Sequence, residues 1–280
     1  MKVFATYIWT DGYSHTKELR SITRLVDVDL KTVNIAVFPD CRFDGSSTQQ
    51  AVGTDSDCIL KPVNFICDPL SEDGFIVLCE VCNRNGSSHE TNTRAILKNI
   101  LDNGGDEQEY LGYEKEYVLY EGNRVLGWPE SGNPAPQGPY YGGVGEGKVE
   151  GRDIVESHAQ ACLDANLLFY GYNAEVMLGQ WEYQIGYRGF DENINTLMIV
   201  DHMIFSEWLL LRIAEEYNVR VCFDNKPVKG DWNGSGCHVN FSTKLMRNCD
   251  YGSVEISRIL DVLEASHHRV MPLYGEKLSE

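Results

Sequence analysis

At 280 residues the chain can bury a sizeable core and divides more readily into two domains than one. Its 42 acidic against 24 basic residues leave a net charge of −18, which argues against an electrostatic grip on nucleic acid or on an anionic membrane. Nine scattered cysteines follow a start, Met1 to Thr10, too short in apolar residues for a signal peptide; reduced thiols in a cytoplasmic protein are expected.

Residues 3–9 (Val-Phe-Ala-Thr-Tyr-Ile-Trp) read as a strand, closed by the turn signal Asp11-Gly12. Lys17 to Val28 alternates loosely and reads as a second strand, and Val33 to Phe38 is a short apolar run that Pro39 stops. Phe43-Asp44-Gly45-Ser46-Ser47-Thr48 is a polar loop with an acid at its head, the chemistry of an Asx-turn. Strands resume at Cys58 to Pro62 and at Phe75 to Cys82. Cys79 and Cys82 form C-x-x-C there, but no second pair has zinc spacing, so a buried strand is the better reading. Thr93 to Leu101 carries the first clear helical period. The domain boundary is set beside it, giving 1–91 and 92–280.

Beyond the boundary, Tyr110 to Tyr120 is strand-like and carries Glu114 and Glu116. Period two places both carboxylates on one face, with Cβ atoms roughly 7 Å apart. A loop rich in glycine and proline runs from Trp128 to Gly151. Gly142 to Lys148 fits G-x-x-x-x-G-K, but Val149 stands where a phosphate loop needs Ser or Thr for its metal, so no Walker site is assigned. Such a loop is either an active-site cover or plain surface. Arg152 to Leu167 reads as a helix with Ile154, Val155, Ala159, Cys162 and Leu163 inward. Asn193 to Asn218 reads as a longer one, whose Asp201, His202, Glu207 and Arg212 make it a core helix and not a membrane span. Val219 to Phe223 is a short strand, His238 and Asn240 alternate on another, and Ser253 to His267 is the last helix.

Between the first two of these helices and the longer one lies Asn173 to Gln184, where Glu175 and Glu182 sit among bulky apolar neighbours. Singly, glutamates on strands face solvent and a histidine is a structural residue. Together, Glu114, Glu116, Glu175, Glu182 and His238 make an oxygen-rich set with one nitrogen donor, better suited to Mg²⁺ or Mn²⁺ than to Zn²⁺. Residue types and spacing alone stop at a divalent-metal site.

Six runs, falling in one order along nearly the whole chain, resemble glutamine synthetase of the eukaryotic type: Phe43-Asp44-Gly45-Ser46-Ser47-Thr48, Thr91-Asn92-Thr93-Arg94, Glu114-Lys115-Glu116-Tyr117, Pro134 to Tyr141, Asn173-Ala174-Glu175-Val176-Met177 through Glu182, and Gly236-Cys237-His238 to Thr243. The resemblance implies an α+β fold, with an N-terminal β-grasp domain and a catalytic domain whose curved antiparallel sheet is flanked by helices. It implies ATP-driven phosphorylation of the γ-carboxylate of L-glutamate, then attack by ammonia, in a ring homo-oligomer with active sites between subunits. Carried over, Glu116, Glu175 and Glu182 resemble the ligands of one metal, and Glu114 and His238 those of a second. Asp44, from the neighbouring subunit, resembles the acid that binds and deprotonates ammonium. Asp231, Trp232, Asn233, Gly234 and Gly236 match the glutamate-binding turn. Glu114, Glu182, Tyr183, Gln184, Ile185, Gly186 and Tyr187, with Asn240, Phe241 and Ser242, match the nucleotide-lining segments.

Departures accompany the resemblance. Glu207 replaces an arginine usual in the long helix, and Leu178 and Tyr187 stand where prolines are common. The family's arginine-rich C-terminal segment, with its phosphate-binding arginines and a last glutamate ligand, is not among the 280 residues. The catalytic domain is therefore expected to be C-terminally truncated, and the chain alone is expected to be slower by several orders of magnitude than a full-length relative. A non-catalytic homologue that binds metal, nucleotide or synthetase subunits is the alternative from another class; a ligase acting on a different amine is the third reading.

Overall fold

The computed structural model describes residues 1–13, 17–104, 107–189 and 195–274. The chain forms two compact units, 1–105 with 164–166 and 106–163 with 167–280. In the first, β1 (Lys2–Thr10), β2 (Leu19–Asp27), β3 (Cys41–Asp44), β4 (Asp57–Cys67) and β5 (Phe75–Asn83) form one sheet in the order β2-β1-β5-β4-β3. β1 and β5 run parallel at its centre and the other pairs are antiparallel. Period two explains which face closes: Val3, Ala5, Tyr7 and Trp9 of β1 pack with Phe38, Phe43, Leu60, Phe75 and Val77.

The apolar run from Val33 to Phe38 is not extended. It makes a single 3₁₀ turn at Ile35–Val37, capped by the Asn34 side chain, which accepts the Ala36 N–H at 3.0 Å. Phe38 then enters the core against Phe65 and Phe75. Cys79 and Cys82 lie three apart on β5, so their side chains leave opposite faces and cannot grip one ion. Burial raises both thiols above their ordinary pKa. The unit closes with α1 (Thr93–Asn103), whose first turn is capped by Asn92 accepting the Ala95 N–H at 3.1 Å.

The second unit is organised on β6 (Tyr110–Glu121), which makes a hairpin with β7 (Arg124–Val125). After α2 (Arg152–Asp164) come β8 (Phe169–Ala174) and β9 (Gln180–Gly186), then α3 (Thr196–Glu216), β10 (Arg220–Cys222), β11 (Cys237–Ser242) and α4 (Gly252–Val270). β9 pairs with one edge of β6 and β8 extends that side, while β11 and β10 follow each other along the opposite edge. Every one of these pairings is antiparallel.

Two helix readings need correction. α2 ends at Asp164, not Leu167, because Asn166 adopts a left-handed φ of 54° and the Leu167 N–H turns back to Cys162 O at 2.9 Å. Leu163, expected inward, is 49% exposed; the buried face instead includes His158 and Ala161. α3 begins at Thr196, with Asn195 accepting the Met198 N–H; the expected start at Asn193 lies outside the described residues. Among the described residues no helix is long and apolar enough to cross a membrane.

α2 and α3 bury two histidines. His158 donates Nε2–H to Ser206 O at 2.9 Å and its Nδ1 has no partner, while His202 Nδ1 accepts the Leu168 N–H at 3.0 Å. Burial lowers both pKa values to about 4. A depressed histidine contributes stability that is present above its unfolded pKa and lost as pH falls toward the folded one. The window here runs from about 6.5 down to about 4. Acidification from pH 7 to 5 should remove roughly 2 kcal/mol for each ring. Thermal unfolding across that range reads the loss; a His202→Asn variant should show a visibly flatter slope, and an unchanged slope would contradict the assignment.

Candidate active site

Strand register assembles the site. In the β6–β9 pair Glu116 stands opposite Glu182 and Glu114 opposite Gln184. From the other edge, β11 sets His238 opposite Glu114. Directly paired residues share a face, so Glu114, Glu116, Glu182, Gln184 and His238 project to the same side of the sheet. Glu175 arrives from the turn between β8 and β9, where its N–H donates to Gln180 O at 2.9 Å. Its carboxylate accepts from Asn173 Nδ2 at 3.0 Å and from the Val176 N–H at 3.1 Å.

Each acid has its own orienting amide. Gln180 Nε2 donates to Glu116 Oε2 at 3.0 Å and to Gly234 O at 2.7 Å; Gln184 Nε2 donates to Glu182 Oε1 at 2.5 Å and to Asn173 Oδ1 at 2.9 Å. Glu114 accepts from Asn240 Nδ2 at 2.8 Å and meets His238 Nδ1 at 3.0 Å. Donor atoms of Glu114, Glu182 and His238 all lie within 4.8 Å of one another. Glu182 therefore stands both with His238 and beside Glu116.

The electrostatics follow from crowding. Burial raises the Glu116 pKa; a backbone hydrogen bond with Gly236 opposes it, and the Glu182 charge adds to it. Glu175 is raised by burial too, against the Val176 hydrogen bond and with the charges of Glu116 and Glu182. Glu114 is lowered by the hydrogen bonds from His238 and Asn240, and His238 is raised by its bond to Glu114. Converging carboxylates, two of them held back from ionising, are a set that a cation would relieve. Hard oxygen donors with one imidazole fit Mg²⁺ or Mn²⁺.

Next to these acids β6, β8 and β11, with Tyr187 just past the end of β9, enclose a cleft of about 260 Å³, lined by Tyr110, Leu111, Gly112, Tyr170, Tyr187, Asn240, Phe241 and Ser242. Tyr110 and Tyr187 stack at 3.7 Å, and the Arg247 guanidinium lies 3.6 Å from the Tyr110 ring centre. Gly186 makes the strand approach possible, since a Cβ there would stand 2.5 Å from Gly112 Cα and from Leu111 O. Of the nucleotide-lining candidates, Tyr187, Asn240, Phe241 and Ser242 line this cleft. Tyr183 and Ile185 are buried in the core on the other face of β9.

The turn from Asp231 to Gly236 runs beside the acids. Gly234 O and Ser235 Oγ accept from Gln180, Gly236 O accepts the Glu116 N–H, and the Asn233 N–H donates to Gln137 Oε1 at 2.6 Å. Trp232 packs on Trp128 at 4.6 Å, and Asp231 is exposed. The glycine–proline loop is also tied to the β8–β9 turn that carries Glu175: Gly138 and Gly142 donate to Val176 O and Ala174 O. Asp44 belongs to the other unit. It ends β3 and caps the following turn, with its carboxylate accepting Ser46 Oγ at 2.6 Å, Ser46 N–H at 3.0 Å and Ser47 Oγ at 3.0 Å. Those bonds, that from the Ser46 hydroxyl first, hold its pKa below the ordinary range.

Sequence reading missed Gln180, Gln137, Asn173 and Ser235 as orienting groups. Period two running back from Glu182 through Gln180 was the available signal, whereas the long-range partners Gln137 and Ser235 left none.

Residues 1–84 match the glutamine synthetase β-grasp domain and residues 90–250 the glutamine synthetase catalytic domain. The chain belongs to the glutamine synthetase family. The glutamine synthetase of Streptomyces viridochromogenes is 46% identical over 244 residues, 87% of this chain and 69% of that protein. That of Candida glabrata is 42% identical over 276 residues, covering 98% and 71%, and the chloroplastic enzyme of Chlamydomonas reinhardtii is 41% identical, covering 97% and 72%. The cryo-EM structure of Plasmodium falciparum glutamine synthetase shares the fold at a TM-score of 0.64 and 17% identity, over 86% of this chain. The chain spans half the length of that one.

Within this family, the departures have local partners here. Glu207 lies 3.7 Å from Lys115 Nζ, which also sits over the Phe223 ring at 4.5 Å. Lys115 alternates with Glu114 and Glu116, so this pair lies behind the acidic face of β6. Leu178 is buried and its carbonyl accepts Trp128 Nε1–H at 2.9 Å.

Proposed function

We propose that this chain carries the chemistry of a glutamate–ammonia ligase: ATP phosphorylates the γ-carboxylate of L-glutamate and ammonia displaces phosphate to give L-glutamine. The observation that carries the reading is the convergence of Glu114, Glu116, Glu182 and His238 on one sheet face beside the tyrosine-lined cleft. Glu116, Glu175 and Glu182 would hold one divalent ion and Glu114 with His238 the other; the nearness of Glu182 to Glu114 and His238 supports a role for it toward both. Bound there, Mg²⁺ or Mn²⁺ supplies neutralisation of phosphate oxygens. The protein's own share is orientation, through Gln180, Gln184, Asn173 and Asn240. The cleft would take the base of ATP, and the Asp231 to Gly236 turn would present backbone groups to glutamate. Asp44, carried by the β-grasp domain (1–91), would serve the catalytic domain (92–280) of a neighbouring copy in a ring homo-oligomer in the cytoplasm.

The test supplies the purified protein with glutamate, ammonium, ATP and Mg²⁺, and measures glutamine and inorganic phosphate together. Equimolar formation that requires all four components is expected. ATP and Mn²⁺ binding without glutamine would favour the non-catalytic reading; product with another amine in preference to ammonium would favour a different ligase.

A further inference from the structure

The run Thr91-Asn92-Thr93-Arg94 has no part in the site described above, yet its first residue reaches the turn that carries Asp44. Behind that turn, inside the β-grasp unit, polar side chains form a directional hydrogen-bond chain. Thr48 Oγ1–H donates to Gln50 Oε1 at 2.8 Å; the Gln50 amide donates to Thr10 O at 3.0 Å and to Thr91 Oγ1 at 2.9 Å. The Thr91 hydroxyl and its own N–H then both face His89 Nδ1, at 2.9 and 3.2 Å. Because the Thr91 N–H donates to His89 Nδ1, that nitrogen is an acceptor and the Thr91 hydroxyl is the donor in the second contact. Gln50 is 4% exposed, so each of these bonds replaces water that cannot reach it.

Backbone contacts show what the chain holds. Gly12 N–H donates to Thr48 O, and the N–H groups of Gln50 and Ala51 both close on Gly45 O. Gly45 itself is wedged in place: a Cβ would stand 2.6 Å from Cys58 Sγ and 3.0 Å from Ala51 Cβ. Gln49 sits at a left-handed φ of 55° that puts Gln50 inward. The turn thus has no side chain of its own between Asp44 and Thr48 that anchors it in the core except Thr48, and Thr48 is tied to Gln50.

We propose that Gln50, joined to Thr91 and His89, is a positioning residue that fixes the Asp44 turn from beneath. The inference rests on the reading of Asp44 as the acid that meets ammonium; the hydrogen-bond chain gives that acid a fixed place without touching the substrate.

Hydrogen exchange of the intact chain tests it without relying on turnover. Gln50→Met keeps the length and removes the amide; Thr91→Val removes the hydroxyl and Thr91→Ser retains it. In Gln50→Met and Thr91→Val, amides from Gly45 to Ala51 should exchange about tenfold faster or more, while those of β1 and β5 keep their protection. Thr91→Ser should restore the native rate. Unchanged exchange at 45–51 in both variants, or loss of protection spread equally over β1 and β5, would overturn the proposal. The role of Asp44 toward ammonium is tested separately by Asp44→Asn, so either claim can fail alone.

Discussion

Glu182→Gln is expected to weaken Mn²⁺ binding at least 100-fold while raising the melting temperature of the metal-free protein. The two effects share one cause. Without an ion, Glu182 adds negative charge beside Glu116 and Glu175, and that charge helps raise both of their pKa values. Removing it relieves repulsion among half-buried carboxylates, a gain of about 1 kcal/mol. With an ion, the same substitution deletes a ligand placed within reach of Glu114 and His238 as well as beside Glu116. Loss of an orienting partner alone typically costs 10–100-fold in metal affinity, and loss of a ligand costs more. Isothermal titration with Mn²⁺ and thermal unfolding with chelator read the two halves. A variant that binds Mn²⁺ normally, or one destabilised without metal, would contradict the reading of these acids as a cation site.

Asp44→Asn should lower ammonium-dependent glutamine formation by roughly 10²–10⁴-fold, the usual contribution of a positioned acid–base group. The native carboxylate is exposed, and three donors from Ser46 and Ser47 keep it ionised. Asparagine retains an acceptor for the Ser46 N–H but has no charge to attract a small cation and no site to take its proton. Because Asp44 is proposed to act across a subunit boundary, mixing Asp44→Asn with Glu182→Gln subunits should restore part of the activity, since some boundaries pair an intact acid with an intact metal site. A mixture no better than its parents would refute action in trans, and full activity in Asp44→Asn would refute the role itself.

The parts of this site that were legible in the sequence are those governed by local periodicity. Alternation on β6 placed Glu114 and Glu116 on one face without any knowledge of the fold, and the Asp-Gly-Ser run announced the Asx-type cap at Asp44. The apolar run before Pro39 could not be assigned from composition, because three residues closing a 3₁₀ turn have the same composition as a short strand. Leu163 misled because an apolar residue type does not fix the face it takes: the buried stripe of α2 runs through Ile154, Val155, His158, Ala161 and Cys162, and Leu163 falls outside it. Period two could put Gln180 on the acidic face, but the partners of Gln180 and Gln137 could not be read locally. Their importance lies in partners 54 and 96 residues away, at Gly234 and Asn233, and only the folded chain brings those together. Metal partition was likewise beyond spacing: Glu182 belongs beside Glu116 by strand register, yet its donor atom also lies within 4.8 Å of Glu114 and His238.

The most direct test of the account is anomalous diffraction at the manganese edge from crystals of the protein grown with Mn²⁺ and ATP. It predicts manganese on the acidic face of β6 and β9, one ion among Glu116, Glu175 and Glu182 and another at Glu114 and His238, with the base of ATP in the cleft between Tyr110, Tyr187 and Ser242. Manganese found only on scattered surface carboxylates, with that face and that cleft empty, would contradict it.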